Sequence, residues 1–155
     1  MGLLQTNLVT RALNHPRVVA VLKRIVPPLD KFLLKISRGW VNTAMQSVVL
    51  LETRGAKTGQ VRQIATLCMP VGADLILVGS NWGQAKHPAW VHNLRANPAA
   101  SVRYRGYVGP VTATELQEAE RTMLWPQLVA FNPQYAQYQE NTSRVLPLFK
   151  LSRPQ

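Results

Sequence analysis

The sequence predicts an α+β fold in which a mostly antiparallel sheet closes into a small barrel, with helices at the N-terminus and at the periphery. Apolar residues recur at helical spacing in residues 1–40 and again after residue 115. Between these segments, short apolar runs alternate with glycine-containing turns, as in a strand meander. A chain of 155 residues, 46% of them hydrophobic, has the size and composition of one domain with a substantial core.

Residues 1–40 form a basic amphipathic helical segment, and residues 41–155 form the predicted barrel domain. Two short helices are expected in the first segment, separated by Pro27 and Pro28, because proline interrupts a helix. Their apolar stripes are Val18, Val21, Leu22 and Ile25, then Leu29, Phe32, Leu33 and Ile36. The pattern leaves three partners open for these stripes: the barrel core, a membrane surface or a neighbouring subunit.

The rest of the chain gives strands and helices in the following order. Strands are predicted at residues 48–51, 60–71, 73–80, 100–108, 111–114 and 145–151. Helices are predicted at residues 88–96 and 115–131. Pro110 with Gly109 is expected to break a strand, and Pro126 to kink the long helix or to begin another. Asn132 and Pro133 are expected to end that segment.

The net charge of +11 is unevenly distributed, because all the excess of Lys and Arg over Asp and Glu lies before residue 111. Such a surface suits a polyanionic ligand, nucleic acid or an anionic membrane. Nucleic acid is the least favoured of these, since the aromatic residues are not interleaved with Lys and Arg as a stacking platform requires.

The cysteine and histidine content restricts the chemistry further. One cysteine, Cys68, excludes an internal disulfide, fits a reducing cytoplasm and lies in an apolar run that predicts packing. The three histidines and this cysteine form no metal-ligand pattern. No stretch is long and apolar enough to span a membrane, and no signal-peptide pattern opens the chain.

Two glycine-containing loops at predicted strand ends carry most of the chemistry. Residues 55–59 form a turn around Lys57 with Arg62 beyond it, and residues 79–83 form a loop that leads into a helix. Backbone N–H groups in such loops can bind anionic oxygens. With the aromatic residues of the chain, they suit a flat, anionic, aromatic cofactor that would perform redox chemistry. Ordinary hairpin turns with an exposed lysine are the alternative.

Three ordered motifs resemble the deazaflavin-dependent nitroreductase and quinone reductase family. They are Gly55-x-Lys57-Thr58-Gly59-Gln60-x-Arg62; Ser80-Asn81-x-Gly83 with His87-Pro88-x-Trp90-x-x-Asn93-Leu94-x-Ala96-Asn97-Pro98; and Trp125-Pro126-x-Leu128 with Pro133-x-Tyr135-x-x-Tyr138-Gln139. The resemblance implies a split β-barrel. It also implies reduced coenzyme F420, a deazaflavin with a phosphate and an oligoglutamate tail, as the hydride donor for quinones, activated enones or nitro compounds.

The resemblance also implies a set of site residues. Lys57 and Arg62 match the cationic groove for the cofactor tail, and Tyr135 and Tyr138 match tyrosines over the substrate pocket that help to protonate the product. Ser80 matches the loop beside the deazaflavin ring and joins the two tyrosines as a catalytic candidate. The cofactor-binding candidates are Lys57, Thr58, Gly59, Arg62, Gly79, Ser80, Asn81, Trp82, Gly83, Lys86, Trp90 and Asn93. For Trp90 and Asn93, structural packing and helix capping are alternative roles of equal weight to cofactor binding.

Departures from the motifs leave alternatives open. Asn132 stands where nitroreductase members commonly have tyrosine, and Val61 stands where proline is usual. FMN is the alternative cofactor, and a non-catalytic split-barrel protein that binds lipid, fatty acid or cofactor at a membrane is the alternative function. The expected location is the cytoplasm or the inner face of the cell membrane, with an anionic membrane as partner, as a monomer or a homodimer. Residues 1–36 are expected to be dispensable for cofactor binding.

Overall fold

The structure, a computed structural model, describes residues 16–37, 39 and 47–154. Its secondary-structure elements are, in chain order, α1 (Pro16–Ile36), β1 (Val48–Arg54), β2 (Val61–Leu67), β3 (Met69–Val71), β4 (Asp74–Val78), a 3-10 turn (Asn81–Gly83), α2 (Ala89–Ala96), β5 (Ala99–Tyr104), β6 (Tyr107–Glu115), α3 (Glu118–Phe131), α4 (Gln134–Glu140) and β7 (Leu148–Ser152). The predicted α+β class with peripheral helices is confirmed. The predicted boundary at residue 40 lies outside the described residues.

One antiparallel sheet of seven strands, in the order β2-β1-β5-β6-β7-β4-β3, forms the body of the molecule. The two edge strands, β2 and β3, are consecutive in the chain and are separated only by Cys68. The sheet therefore curls until its edges approach each other, which produces a split barrel. Inside it, Val49 and Leu51 of β1 pack with Leu75, Leu77 and other residues of the main core.

Helix α1 covers the outer face of the sheet. Leu34 is fully buried and packs with Val48 and Leu50 of β1, which point away from the barrel interior. The predicted stop at Pro27 and Pro28 is wrong, since α1 continues through both. Pro28 leaves the Arg24 carbonyl without its helical N–H partner, and both residues are exposed to solvent. Burial of Leu34 against the sheet helps to offset this loss.

Gly39 holds the end of α1 on the sheet. Its amide donates to the Leu34 carbonyl at 2.8 Å, and its carbonyl accepts from the Arg105 amide at 3.0 Å. Its φ is +87°, and a Cβ built there would lie 2.5 Å from the Tyr104 Cα. Only glycine fits this combination of positive φ and close backbone approach.

Several predicted boundaries are corrected. The strand expected at residues 60–71 is two strands, β2 and β3, with Cys68 between them. The hairpin after β5 turns at Arg105 and Gly106, both with positive φ, and not at Gly109 and Pro110. Pro110 is tolerated in β6 because β7 pairs only from Thr112 onward, so no strand needs its missing N–H.

The C-terminal third also differs from its prediction. The long helix begins at Glu118, with Glu115 still in β6, and Pro126 lies inside it. Residues after Pro133 form the short helix α4, which the sequence pattern did not indicate. Asn132 does end α3, and the last strand begins at Leu148 rather than at residue 145. Among the described residues, no helix is long and apolar enough to cross a membrane.

Candidate functional site

A cavity of about 570 Å³ opens beside the edge strand β2. Residues 64–67 of β2 line it, together with Val78, residues 80–82 and part of α4. Helix α1 contributes Val26 and Asp30 to the wall. Six of the predicted site residues line it: Ser80, Asn81, Trp82, Trp90, Tyr135 and Tyr138. The volume is typical of a small-molecule or cofactor site.

The two tyrosines lie on α4 in different environments. Tyr135 is buried, and burial raises the pKa of its hydroxyl to about 12, so it keeps its proton at all physiological pH values. Tyr138 is half-buried and donates its hydroxyl proton to Gln134 Oε1 at 2.8 Å, and burial raises its pKa as well. Both phenols are therefore neutral hydrogen-bond donors at the cavity wall.

The loop of residues 79–87, termed here the Ser80 loop, has a strained conformation. Asn81 and Trp82 have φ values of 44° and 59°, which are uncommon for residues other than glycine. The Asn81 side chain donates to the Lys86 carbonyl at 2.9 Å and so closes the loop on itself. The Trp82 ring is 61% exposed and meets Tyr138 edge to face, with centroids 6.2 Å apart. Trp90 is buried behind the loop against Phe149.

Two of the predicted cationic residues, Lys57 and Arg62, lie in the turn before β2 and at the start of that strand. The turn of residues 55–60, termed the lysine turn, closes with an amide-to-carbonyl bond from Gly55 to Gln60 of 2.8 Å. Lys57 and Arg62 are exposed, and Arg62 donates to Gln60 Oε1 at 3.1 Å. Arg62 precedes the first β2 residue of the cavity wall, Ile64, by two positions, which is about 7 Å along a strand. The lysine turn thus leads directly into β2, and the cavity borders the second half of that strand.

Asn93 of α2 fastens the lysine turn to the body of the protein. Its Oδ1 accepts from the Ala56 amide at 2.9 Å, and its Nδ2 donates to Thr53 Oγ1 at 3.1 Å. Both Asn93 and Thr53 are buried. Asn93 therefore does not line the cavity but determines where the turn that carries Lys57 lies.

Comparisons with known proteins place this architecture in a family. The family model for F420H(2)-dependent quinone reductases matches residues 33–152. An F420H(2)-dependent quinone reductase of Mycobacterium tuberculosis is 37% identical, over 68% of this chain and 72% of its own. The chain belongs to the F420H(2)-dependent quinone reductase family. The predicted family is confirmed, and the chain is an oxidoreductase whose family uses reduced coenzyme F420.

Two solved structures are similar to this chain in fold. An F420H2-dependent reductase has a TM-score of 0.63 and 37% identity, covering 68% of this chain and 94% of its own. A protein described as a domain-swapped dimer has a TM-score of 0.64 and 33% identity, covering 81% of this chain and 99% of its own. The fold of this chain is therefore similar to that of an F420H2-dependent reductase.

In this family member, the structure separates the predicted site residues into two groups. The six that line the cavity are given above. Those that do not line it are Lys57, Thr58, Gly59, Arg62, Gly79, Gly83, Lys86 and Asn93. Gly83 has φ of 74°, and a Cβ there would lie 2.9 Å from the Tyr138 carbonyl oxygen, so it lets the Ser80 loop lie directly on α4. Cys68 is fully buried, and burial raises its pKa to about 12, so packing is its role, as predicted.

Two residues at or near the site were missed by the sequence analysis. Asp30, which no sequence motif includes, is buried in the cavity wall. Arg144 donates hydrogen bonds to the Ser80 loop from a position more than 55 residues away in the chain. Sequence spacing cannot predict a contact between residues so far apart in the chain. The region after residue 110 has four charges of each sign, so its charge balance did not single out Arg144.

We expect Asn93→Ala to lower both stability and F420 affinity, because it leaves the Ala56 amide and the Thr53 hydroxyl without their partner. The free energy of unfolding should fall by about 1–3 kcal/mol, measured by urea denaturation, and reduced F420 should bind at least several-fold more weakly. Asn97→Ala is the matched control, since Asn97 ends the same helix and bonds only the Ala99 amide among the described side-chain contacts. Equal F420 affinity in the two variants would show that the lysine turn holds its position without Asn93.

Proposed function

We propose that this protein transfers a hydride from reduced coenzyme F420 to a quinone bound in the cavity beside β2. The observation that carries the proposal is that two cations, Lys57 in the lysine turn and Arg62 in β2, precede a cavity of about 570 Å³ along the same edge strand. A ligand lying along β2 would place a ring system in the cavity and an anionic tail at Lys57 and Arg62. Family membership supports the same donor and acceptor.

The residues present fit such a cofactor. Trp82 and Tyr138 offer aromatic surface at one wall, and the outer edge of β2 offers backbone groups that no further strand of the described residues pairs. Arg62 and Lys57 are exposed, as cations must be to meet a phosphate and carboxylates in solution. We therefore assign the cofactor-binding role to the cofactor-binding candidates predicted from the sequence. FMN, which lacks the oligoglutamate tail, is the weaker candidate for the cofactor.

Reduced F420 supplies the hydride when it is bound. The protein residues orient the acceptor, exclude water and hold a proton close to it. Tyr135, with its proton retained, can donate a hydrogen bond or a proton to the acceptor oxygen. Ser80 at the cavity wall carries a further hydroxyl donor, whereas Tyr138 donates its proton to Gln134 and would have to leave that partner to serve the acceptor. The apolar side chains of Val26, Val48 and Leu67 suit a hydrophobic acceptor.

A titration of the purified protein with reduced F420, oxidised F420 and FMN, followed by ligand fluorescence, tests the cofactor. We expect saturable binding of F420 and much weaker binding of FMN. Oxidation of F420 on addition of a soluble quinone then tests the activity, and nitroaromatic and enone acceptors are compared in the same assay. Binding of FMN in preference to F420, or the absence of quinone-dependent oxidation, would overturn the proposal.

We further propose that α1 binds the anionic inner face of the cell membrane, where quinones reside. Four large apolar side chains of α1 are exposed at spacings of four, three and four residues: Ile25 (55%), Leu29 (42%), Phe32 (59%) and Ile36 (63%). This spacing puts them on one side of the helix. The exposed cations Arg24, Lys31 and Lys35 flank that side. An apolar stripe beside cations suits acyl chains and anionic head groups.

Replacing Leu29 and Phe32 together by serine is expected to reduce binding to anionic vesicles about tenfold or more, since each side chain loses apolar burial. Cosedimentation measures this, and high salt should release the wild type. Met123→Ser is the control, because Met123 is 67% exposed on α3, away from the stripe. Point variants serve better than deletion of residues 1–36, because α1 also forms part of the cavity wall. A wild type that stays in the supernatant at low salt contradicts the proposal.

The assembly proposed is a homodimer or a monomer. A solved relative is described as a domain-swapped dimer. That relative supports the homodimer for this chain.

A further inference from the structure

We infer that Arg144 is a positioning residue that fixes the Ser80 loop against the helix carrying the two tyrosines. The effect of this positioning on catalysis rests on the proposed function. The positioning itself does not, because it concerns the protein without ligand. Arg144 follows α4 in the chain and lies outside the cavity wall.

The guanidinium of Arg144 contacts the loop at four points. Its Nη1 donates to the Gly79 carbonyl at 3.0 Å, its Nη2 to the Ser80 carbonyl at 2.7 Å and its Nε to the Gln84 carbonyl at 2.9 Å. Its Nη1 also lies 3.0 Å from His87 Nδ1. These contacts fall on both sides of Asn81 and Trp82, the two residues with positive φ. Arginine alone has the planar set of donors that can serve several carbonyls at once.

The backbone of Arg144 is itself held in place by α4. Gln139 Nε2 donates to the Arg144 carbonyl at 2.8 Å, and Gln139 Oε1 accepts from the Leu146 amide at 3.0 Å. Gln139 belongs to the same motif as Tyr135 and Tyr138, so this hydrogen bonding accounts for a motif residue that has no place in the cavity. Gln139 and Arg144 therefore connect α4, which carries the two tyrosines, to the Ser80 loop.

The contact with His87 makes the connection sensitive to pH. Burial and then the nearby Arg144 and Arg95 hold the pKa of His87 below its ordinary value of 6.5, so at neutral pH the ring is neutral and its Nδ1 can accept from Arg144. The other groups facing it are His92 of α2 and Glu115 of β6. A second proton would turn Nδ1 into a donor facing a guanidinium. The folded loop is therefore favoured above pH 6.5, and that preference is lost as pH falls through the lowered pKa.

Hydrogen exchange on the ligand-free protein, corrected for intrinsic rates, tests the positioning. In Arg144→Lys and Arg144→Met, we expect amides of residues 80–87 to exchange at least tenfold faster than in the wild type, with β1 and β5 unchanged. Wild-type protection of the same amides should fall on acidification below pH 6.5, and in His87→Gln this acid-dependent loss should disappear. Lys150→Ala is the control for loss of a cation elsewhere, since Lys150 contacts Glu120.

Unchanged exchange of residues 80–87 in Arg144→Lys, or in both variants, would overturn the inference. Should Arg144→Met fail to fold, Arg144→Lys retains the charge and still removes most of the carbonyl contacts. In the functional assay, we expect Arg144→Lys to weaken F420 binding or quinone turnover by about tenfold. Faster loop exchange with unchanged F420 binding and turnover would confirm the positioning and overturn its catalytic consequence. No binding of F420 even by the wild type would instead overturn the proposed function alone.

Discussion

Replacing Lys57 and Arg62 together by alanine is expected to weaken binding of reduced F420 by roughly two to four decades. Each charge-assisted contact to phosphate or carboxylate is typically worth about 1.5–3 kcal/mol. Because both side chains are exposed, the loss should lie near the lower end at physiological salt and grow at low salt. A fluorescence titration at two salt concentrations measures the loss.

The matched control for this double variant is Lys150→Ala with Arg153→Ala, which removes the same charge from β7 and its end, outside the cavity wall. The control should retain F420 affinity within a few-fold. If the two double variants lose the same affinity, the effect is one of overall charge, and Lys57 and Arg62 have no specific role. A wild-type affinity in the Lys57 and Arg62 variant would remove both residues from the binding site.

Tyr135→Phe is expected to lower kcat for quinone reduction by about two decades while F420 affinity changes little. General acids contribute about 10²–10⁴-fold, and the raised pKa of this hydroxyl makes it a weak acid, so the lower figure applies. The hydroxyl is the only part removed, so packing of the buried ring is retained. Stopped-flow oxidation of bound F420 separates this step from binding and from product release.

The pH dependence of the same reaction supplies a second check. A tyrosine whose pKa is raised to about 12 stays protonated from pH 6 to pH 10, so the wild type should show no loss of rate from this group in that range. Tyr138→Phe is the comparison, because Tyr138 already donates its proton to Gln134. We expect Tyr138→Phe to lower kcat less than Tyr135→Phe does. A normal kcat in Tyr135→Phe would leave packing as its only role.

The chain brings opposite requirements together at one strand edge. A hydrophobic acceptor needs apolar walls, and the anionic tail of F420 needs cations in water. Strand β2 satisfies both because it is an edge strand with partly exposed side chains on both faces. Its first half continues from the lysine turn, and its second half borders the cavity.

The sequence alone determined the fold class and the family. Alternating apolar runs with glycine turns predict an antiparallel sheet, and the three motifs in order have enough specificity to identify the F420H(2)-dependent family that the comparisons confirm. Lys57, Ser80, Tyr135 and their neighbours were found because each lies within a local motif. Local chemistry such as a glycine turn is encoded within a few residues and can be read directly.

Tertiary structure decided what depends on contacts between distant residues. The pair Pro27 and Pro28 lies within one helix because α1 packs Leu34 on the sheet, which outweighs a local preference to stop. Folding also buries Asp30 in the cavity wall and brings Arg144 to the Ser80 loop across more than 55 residues. Such contacts follow from how the sheet curls and where its helices dock, and neither periodicity nor spacing in the sequence records them.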